Sequence, residues 1–576
     1  MTISFDEHCK ESARGFIQTI VVIDDQASIG QAEPPQAKTA ARASSSVLTD
    51  TAMVRLSMPE ATSTTSHTSH DLNAQLLTDA FFNAGMVAGL YKPSVNSSDL
   101  NELAASTVKI AKKCDVIIID WSLNTEQPAL AKEIITKVVD DDFTNGGRLR
   151  TIIVYTAEKD LKEIRDQLLN HLNEAKIVDS TTHQAIVFCS QGDFDIKGTN
   201  LGVSFYSKQA SATTAGDRKK SESDLPEIVI FEFSKHADGL LPSFALRASS
   251  SIRAGTHHLL TRFPGSMDGA YLTHRGICPD PEDAEPYMLE NFVSVVRNIL
   301  SLERVDQESL GEKQITTWLD REQQKDKKFT GKCASQPNIE ITPDELKPVF
   351  KDGLEKLKEL VAGKLQVDKK TIDMEQMDKV SIDFGRMLVG NCSDNLYQFS
   401  VLSAFKRSHA DTGWAKPNHI PYLTQGTIIA KYMAAEEFEF LLCVTPKCDS
   451  LRIGKHGGAP RMFSFISLSE QKADKPHDLI LNHHGKYRFF KMQPKFYMLV
   501  HQKFSSSTTT RRVESVFSEV KNGFLFKDTL ECEYLWVGDL KDMNSQNRVS
   551  GVVSNLNRVG IDEFEWSRIM AKAKPN

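Results

Sequence analysis

Four short, very apolar runs near the start of the chain limit what it can fold into. They are Thr19–Ile23 (TIVVI), Val116–Ile119 (VIII), Thr151–Tyr155 (TIIVY) and Val203–Tyr206 (VSFY). Runs of this length that are β-branched and apolar on both faces need cover on both sides, which a parallel sheet flanked by helices supplies. Helical spacing of apolar residues fills the intervals at Leu72–Ala84, Asp99–Lys113, Ala129–Val139 and Leu161–Glu174, and a weaker strand pattern lies at Met86–Tyr91. The alternation predicts an α/β domain over residues 1–210 with a doubly wound parallel sheet.

Two stretches do not fit that alternation and read as insertions. Residues 27–70 are rich in Ser, Thr, Ala and Pro without a sustained period, which predicts a disordered loop. Residues 175–202 contain a further strand-like run, Ala185–Cys189, and residues 209–224 read as a polar loop or linker. From 225 to 410 the period becomes helical, at 226–236, 241–262, 285–304, 343–363 and 369–389, with a linker expected near 325–342. From 420 to 576 it changes to short alternating runs: Gly426–Tyr432, Phe438–Val444, Met462–Ser467, Tyr487–Met492, Phe496–His501 and Tyr534–Val537. These predict a small β-rich, barrel-like domain that ends in a helix over Ile561–Ala571.

A chain of 576 residues exceeds one ordinary core, so about three domains are expected. Its net charge of −7 argues against a general nucleic-acid binder, which needs clustered Lys and Arg. No run approaches the ~18 apolar residues of a membrane span, and the first residues are acidic where a signal peptide is basic. A cytoplasmic protein is expected. The nine cysteines are scattered without a CxxC pair, which suits reduced thiols and not a structural zinc site.

Acidic residues stand directly after two of the strands: Asp24 and Asp25 after TIVVI, and Asp120 after VIII. In a doubly wound sheet the carboxyl ends of neighbouring strands meet at one crevice, where ligands bind. Three carboxylates crowded there need a cation, and hard oxygen donors suit Mg²⁺. Asp24, Asp25 and Asp120 would hold it, with the backbone carbonyl of Ser122 as a further ligand. Thr156 ends the third run and can donate its hydroxyl to a phosphoryl oxygen. Lys208 follows the last run and brings a cation to the same place. Asp120 is then the nucleophile that forms an acyl phosphate.

This ordered set, DD at Asp24–Asp25, D at Asp120, TA at Thr156–Ala157 and K at Lys208, resembles the receiver domain of bacterial response regulators. The resemblance implies a flavodoxin-like fold, phosphotransfer from a cognate histidine kinase onto Asp120, and slow loss of the phosphate. Phe205 falls where that family carries its switch aromatic. The spacings from Asp25 to Asp120 and from Thr156 to Lys208 are longer than usual, and Gln209 stands where a proline usually follows.

Over its full length the chain also resembles the receiver-bearing buffer proteins of Detocs antiphage two-component systems. The residues that carry this are GTIIAKY, FEFLLCVTPKCDS, RVGIDEFEWSR and EFSKHADGLLPSFALRASSSIR. That resemblance implies a phosphate sink, not an enzyme, that competes with a second receiver-effector protein, with the helical and β-rich parts serving docking or a homodimer. Two other readings stay open: a response regulator whose β-rich module is a nucleic-acid- or protein-binding output, and an enzymatic effector around Cys448 or the histidines. His257–His258, His483–His484 and Arg218–Lys219–Lys220 read as solvated helix, turn and loop residues.

Overall fold

The computed structural model describes residues 3–28, 72–93, 100–123, 128–145, 149–179, 185–333, 336–390, 393–409, 420–434, 437–454, 458–492 and 498–556, apart from positions 210, 212, 214, 452, 474 and 476. Nearly all of the expected 27–70 insertion and the expected Ile561–Ala571 helix lie outside the described residues. The chain forms two compact units, Met1–Pro264 with Asn291–Trp318, and Gly265–Glu290 with Leu319–Asn576.

In the first unit every apolar run becomes a strand. Val87–Tyr91, Thr19–Ile23, Val116–Ile119, Arg150–Thr156 and Leu201–Lys208 lie side by side in that order, and each neighbouring pair is parallel. Successive side chains point to opposite faces, so each run splits between two cores. Val21, Ile23, Ile117, Ile119, Ile152, Val154 and Phe205 face helices Leu100–Ala111, Ala129–Thr144 and Leu161–Glu174. Ile20, Val22, Val116, Ile118, Ile153, Tyr155 and Tyr206 face helices Ala74–Asn83 and Leu225–Ser234. This is the double cover that the apolar runs demanded, and it gives an N-terminal domain with a mostly parallel α/β sheet.

Two features depart from the expectation. A helix, Phe5–Phe16, precedes the first strand, with Ser4 as its cap and Phe5, Cys9 and Ala13 buried against the second core. The sheet is also mixed. Its edge beyond Leu201–Lys208 carries an antiparallel hairpin, Asp195–Gly198 with Cys189–Gln191, and Ala185 makes only an isolated bridge to Val178. These strands are short and polar (DIKG, CSQ), so periodicity could not reveal them; the hairpin takes up the long spacing before Lys208. Arg218 is not simply solvated either: it pairs with Asp195 at 3.0 Å and lies over the rings of Tyr206 and Phe194.

His236, in a turn after Leu225–Ser234, reports on the packing of this layer. Its Nε2 lies 3.2 Å from the Arg150 carbonyl and 3.0 Å from Thr151 Oγ1. Burial pushes its pKa from the usual 6.5 down to about 4. The unfolded chain therefore binds a proton first as pH falls. His236 imposes no loss of stability above pH 6.5, and stability declines as pH drops from there through about 4. The decline is on the order of 3 kcal/mol across that window. Urea unfolding at pH 7 and pH 4.5 should show a lower midpoint at the acid pH, and His236→Gln should remove much of the difference.

The second unit contains helices Asp268–Ile277, Pro343–Asp352, Leu354–Leu365, Met374–Val389 and Ser393–Ala404, and the chain's middle region is helical. Residues 325–342, expected as a linker, instead carry an antiparallel hairpin, Phe329–Cys333 with Gln336–Ile341. Phe329, Ile339 and Ile341 are buried, but the strands themselves, FTGKC and QPNIEI, carry no sustained apolar alternation that would mark them by period. The C-terminal part is an antiparallel half-barrel. Its neighbours run Leu479–His483, Lys486–Met492, Pro460–Gln471, Glu437–Cys443, Thr427–Ala434, Glu533–Leu540, Gly523–Lys527 and Val516–Ser518. Leu499–Ser505 and Phe405–Ser408 add to its sides. One face buries Ile429, Leu441, Phe463, Phe465, Phe504 and Trp536, and the other buries Ile428, Phe440, Leu442, Leu481 and Phe490. Of the two histidines expected in a turn, only His484 is exposed there, with φ +50° beside Gly485; His483 is buried in the strand against Phe438 and Phe440.

Candidate functional site

The parallel ladder decides where the acids sit. The backbone N–H of Asp24 donates to the Tyr91 carbonyl at 3.2 Å, and that of Asp120 donates to the Ile23 carbonyl at 2.9 Å. Both residues thus continue the ladder one step past their strands and point into the crevice at the carboxyl edge. Thr156 and Lys208 end the next two strands, with Thr156 opposite Ser207. All four are buried.

Three of the expected side chains meet directly. Lys208 Nζ donates to Asp120 Oδ2 at 2.7 Å and to Asp24 Oδ2 at 2.8 Å. The second oxygens are held by backbone N–H groups: Asp24 Oδ1 by Gln26 at 2.8 Å, and Asp120 Oδ1 by Ser122 at 3.3 Å. Burial works against the charge on Lys208, but Asp120 and Asp24 outweigh it and raise its pKa. Burial pushes Asp24 up to about 6; Lys208 opposes that rise and Asp120 adds to it. Two buried carboxylates on one ammonium leave the crevice short of positive charge.

Asp25 follows Asp24 directly and is half-buried; among the described residues, no group of three or more acidic, His or Cys side chains is gathered to hold a metal ion. Asp24 and Asp120 are brought together on Lys208. The donor set still fits Mg²⁺, which commonly takes one or two carboxylates and completes its shell with water or phosphate oxygens. Thr156 Oγ1 is 3.4 Å from the Glu158 N–H. Phe205 is buried in the core on the face with Val154.

Sequence reasoning missed Glu158 and the side chain of Ser122. Ser122 Oγ donates to Glu158 Oε1 at 2.8 Å, which ties the loop after Asp120 to the loop after Thr156. The Glu158 carbonyl accepts from Ser211 Oγ at 3.2 Å, and the Lys159 carbonyl accepts from Thr213 Oγ1 at 2.9 Å. The three loops around the acids are therefore stitched together. An acid two places after the strand-ending threonine, in VYTAE, was the one available signal.

This geometry suits acceptance of a phosphoryl group: a buried carboxylate at a strand end, a cation beside it, and a hydroxyl on the next strand. Residues 16–211 match the protein family described as response receiver domain. That part of the chain is a receiver domain, and its presence supports a phospho-accepting, response-regulator role for the protein. No curated protein and no solved structure matches the chain. No helix among the described residues is long and apolar enough to cross a membrane.

Proposed function

We propose that the chain takes a phosphoryl group from a histidine kinase onto Asp120 and serves as a phosphate sink beside a second, effector-bearing receiver. The observation that carries this reading is the single ammonium of Lys208 shared by Asp24 and Asp120. In the transfer, an Asp120 oxygen attacks phosphorus, and the bond from phosphorus to the donor's imidazole nitrogen breaks. Lys208 then exchanges a carboxylate partner for a phosphoryl oxygen, and Thr156 donates its hydroxyl to another. Asp24, Asp25 and Asp120, with the Ser122 carbonyl, would hold Mg²⁺. The metal, when bound, neutralises charge on the incoming group. Little covalent chemistry falls to the protein, whose part is positioning and charge.

The resemblance of the whole chain to Detocs buffer proteins supports the sink over an output module, and with it a cytoplasmic, non-enzymatic role in antiphage defence. The acidic overall balance does not favour a nucleic-acid output. The test is a competition. Phosphorylated kinase is mixed with the effector receiver, with and without this chain. A sink takes label from the kinase and lowers the label on the effector in proportion to its concentration. Unchanged effector labelling, with this chain itself labelled, sinks the buffer role and leaves the acceptor role.

A further inference from the structure

The strand that ends in Lys208 carries a second set of polar contacts on the same face. Side chains alternate along a strand, so Ser204, Tyr206 and Lys208 share one face while Phe205 points to the other. Lys208 binds the two acids of the crevice. Two and four residues back, the hydroxyls of Tyr206 and Ser204 both donate to the carboxylate of Glu232, Tyr206 at 2.6 Å. Glu232 belongs to helix Leu225–Ser234 and is buried, with Lys235 Nζ as a third partner. The Arg218 guanidinium lies 4.8 Å from the Tyr206 ring centroid and pairs with Asp195, which also takes Lys235 at 3.2 Å.

Past Lys208 the chain is anchored at both ends of its loop. Ser211 and Thr213 bind the loop after Thr156, and Lys219–Lys220 returns as a short parallel strand beside Ser207–Lys208. Tyr155, in register with Tyr206, donates its hydroxyl to the Lys220 carbonyl at 2.9 Å. Helix Leu225–Ser234 in turn packs on the N-terminal helix, with Phe16 and Phe233 stacked at 5.5 Å and Cys9 Sγ donating to the Ala237 carbonyl.

We propose that phosphorylation of Asp120 is read out by helix Leu225–Ser234 through the Glu232–Tyr206–Ser204 contact, on the sheet face opposite Phe205. The inference rests on the acceptor reading above. A phosphoryl group on Asp120 draws Lys208 away from Asp24, and the end of its strand shifts with it. A buried carboxylate held by two hydroxyls of that strand is a directional link, so the helix follows the strand or loses charge-assisted hydrogen bonds. The N-terminal helix then moves with its partner.

The test is hydrogen exchange on the full chain, with and without acetyl phosphate and Mg²⁺, with intact mass read in parallel. In the wild type, phosphorylation should change exchange by at least about twofold in peptides covering Leu225–Ser234 and Phe5–Phe16. Tyr206→Phe, which keeps the ring under Arg218, and Glu232→Gln should still take up the phosphoryl group and lose that change. A phosphorylated wild type without the change overturns the proposal, as does a phosphorylated Tyr206→Phe protein that retains it. Absence of label from both acetyl phosphate and a phosphorylated kinase overturns the acceptor reading, and this inference with it.

Discussion

Asp120→Asn protein will gain no phosphoryl mass after incubation with acetyl phosphate and Mg²⁺, while the wild type gains one phosphoryl group. The amide is isosteric with the carboxylate but offers no anionic oxygen to attack phosphorus. Loss of fold will not explain the result. Lys208 now serves two buried carboxylates, and after the substitution it serves Asp24 alone, a balanced pair. Thermal stability of the variant should therefore match or exceed that of the wild type, within about 1 kcal/mol. Phosphoryl gain in the variant would place the acceptor elsewhere, and peptide mapping would find it.

The second large effect belongs to Lys208. Lys208→Met keeps the aliphatic stem and removes the cation, leaving Asp24 and Asp120 buried side by side. Removing one partner of a buried ion pair typically costs about 3–5 kcal/mol, because the remaining charge is left uncompensated. The receiver unit should melt well below the wild type in EDTA. Added Mg²⁺ should restore much of the loss, because a ligand of the folded state stabilises by about 2.7 kcal/mol at a hundred times its dissociation constant. Phosphoryl acceptance should fall on the order of 10²-fold, since the cation that meets the phosphoryl oxygen is gone. Equal melting of variant and wild type in EDTA would remove Lys208 from its charge-balancing role. Failure of Mg²⁺ to raise the melting point would mean that the pair does not hold the metal.

Much of the first unit was legible because its signals are local. TIVVI, VIII and TIIVY are too apolar on both faces for anything but a covered sheet, and an acid or hydroxyl after each falls at the same sheet edge. Asp24, Asp120 and Thr156 could be placed in this way, and Lys208 by the run VSFY before it. The helix Leu161–Glu174 has the same bounds in sequence and structure, because Asp160 caps it through the Lys162 and Glu163 N–H groups. Elements built from polar residues were not legible. CSQ and DIKG pair only because a neighbouring strand edge is open to them, and the hairpin at Phe329–Ile341 owes its form to pairing between its own two strands.

The sequence by itself determined the covered parallel sheet and the kinds of group at its carboxyl edge, because strand period and strand ends are properties of contiguous residues. Only the tertiary structure decided which of those groups meet. Lys208 lies far along the chain from Asp24, yet their side chains are 2.8 Å apart. It also decided that Ser122 binds Glu158 and that Glu232 receives Tyr206. These contacts depend on strand order and on side-chain direction at each strand end, and both are set by how the layers pack rather than by any local run of residues.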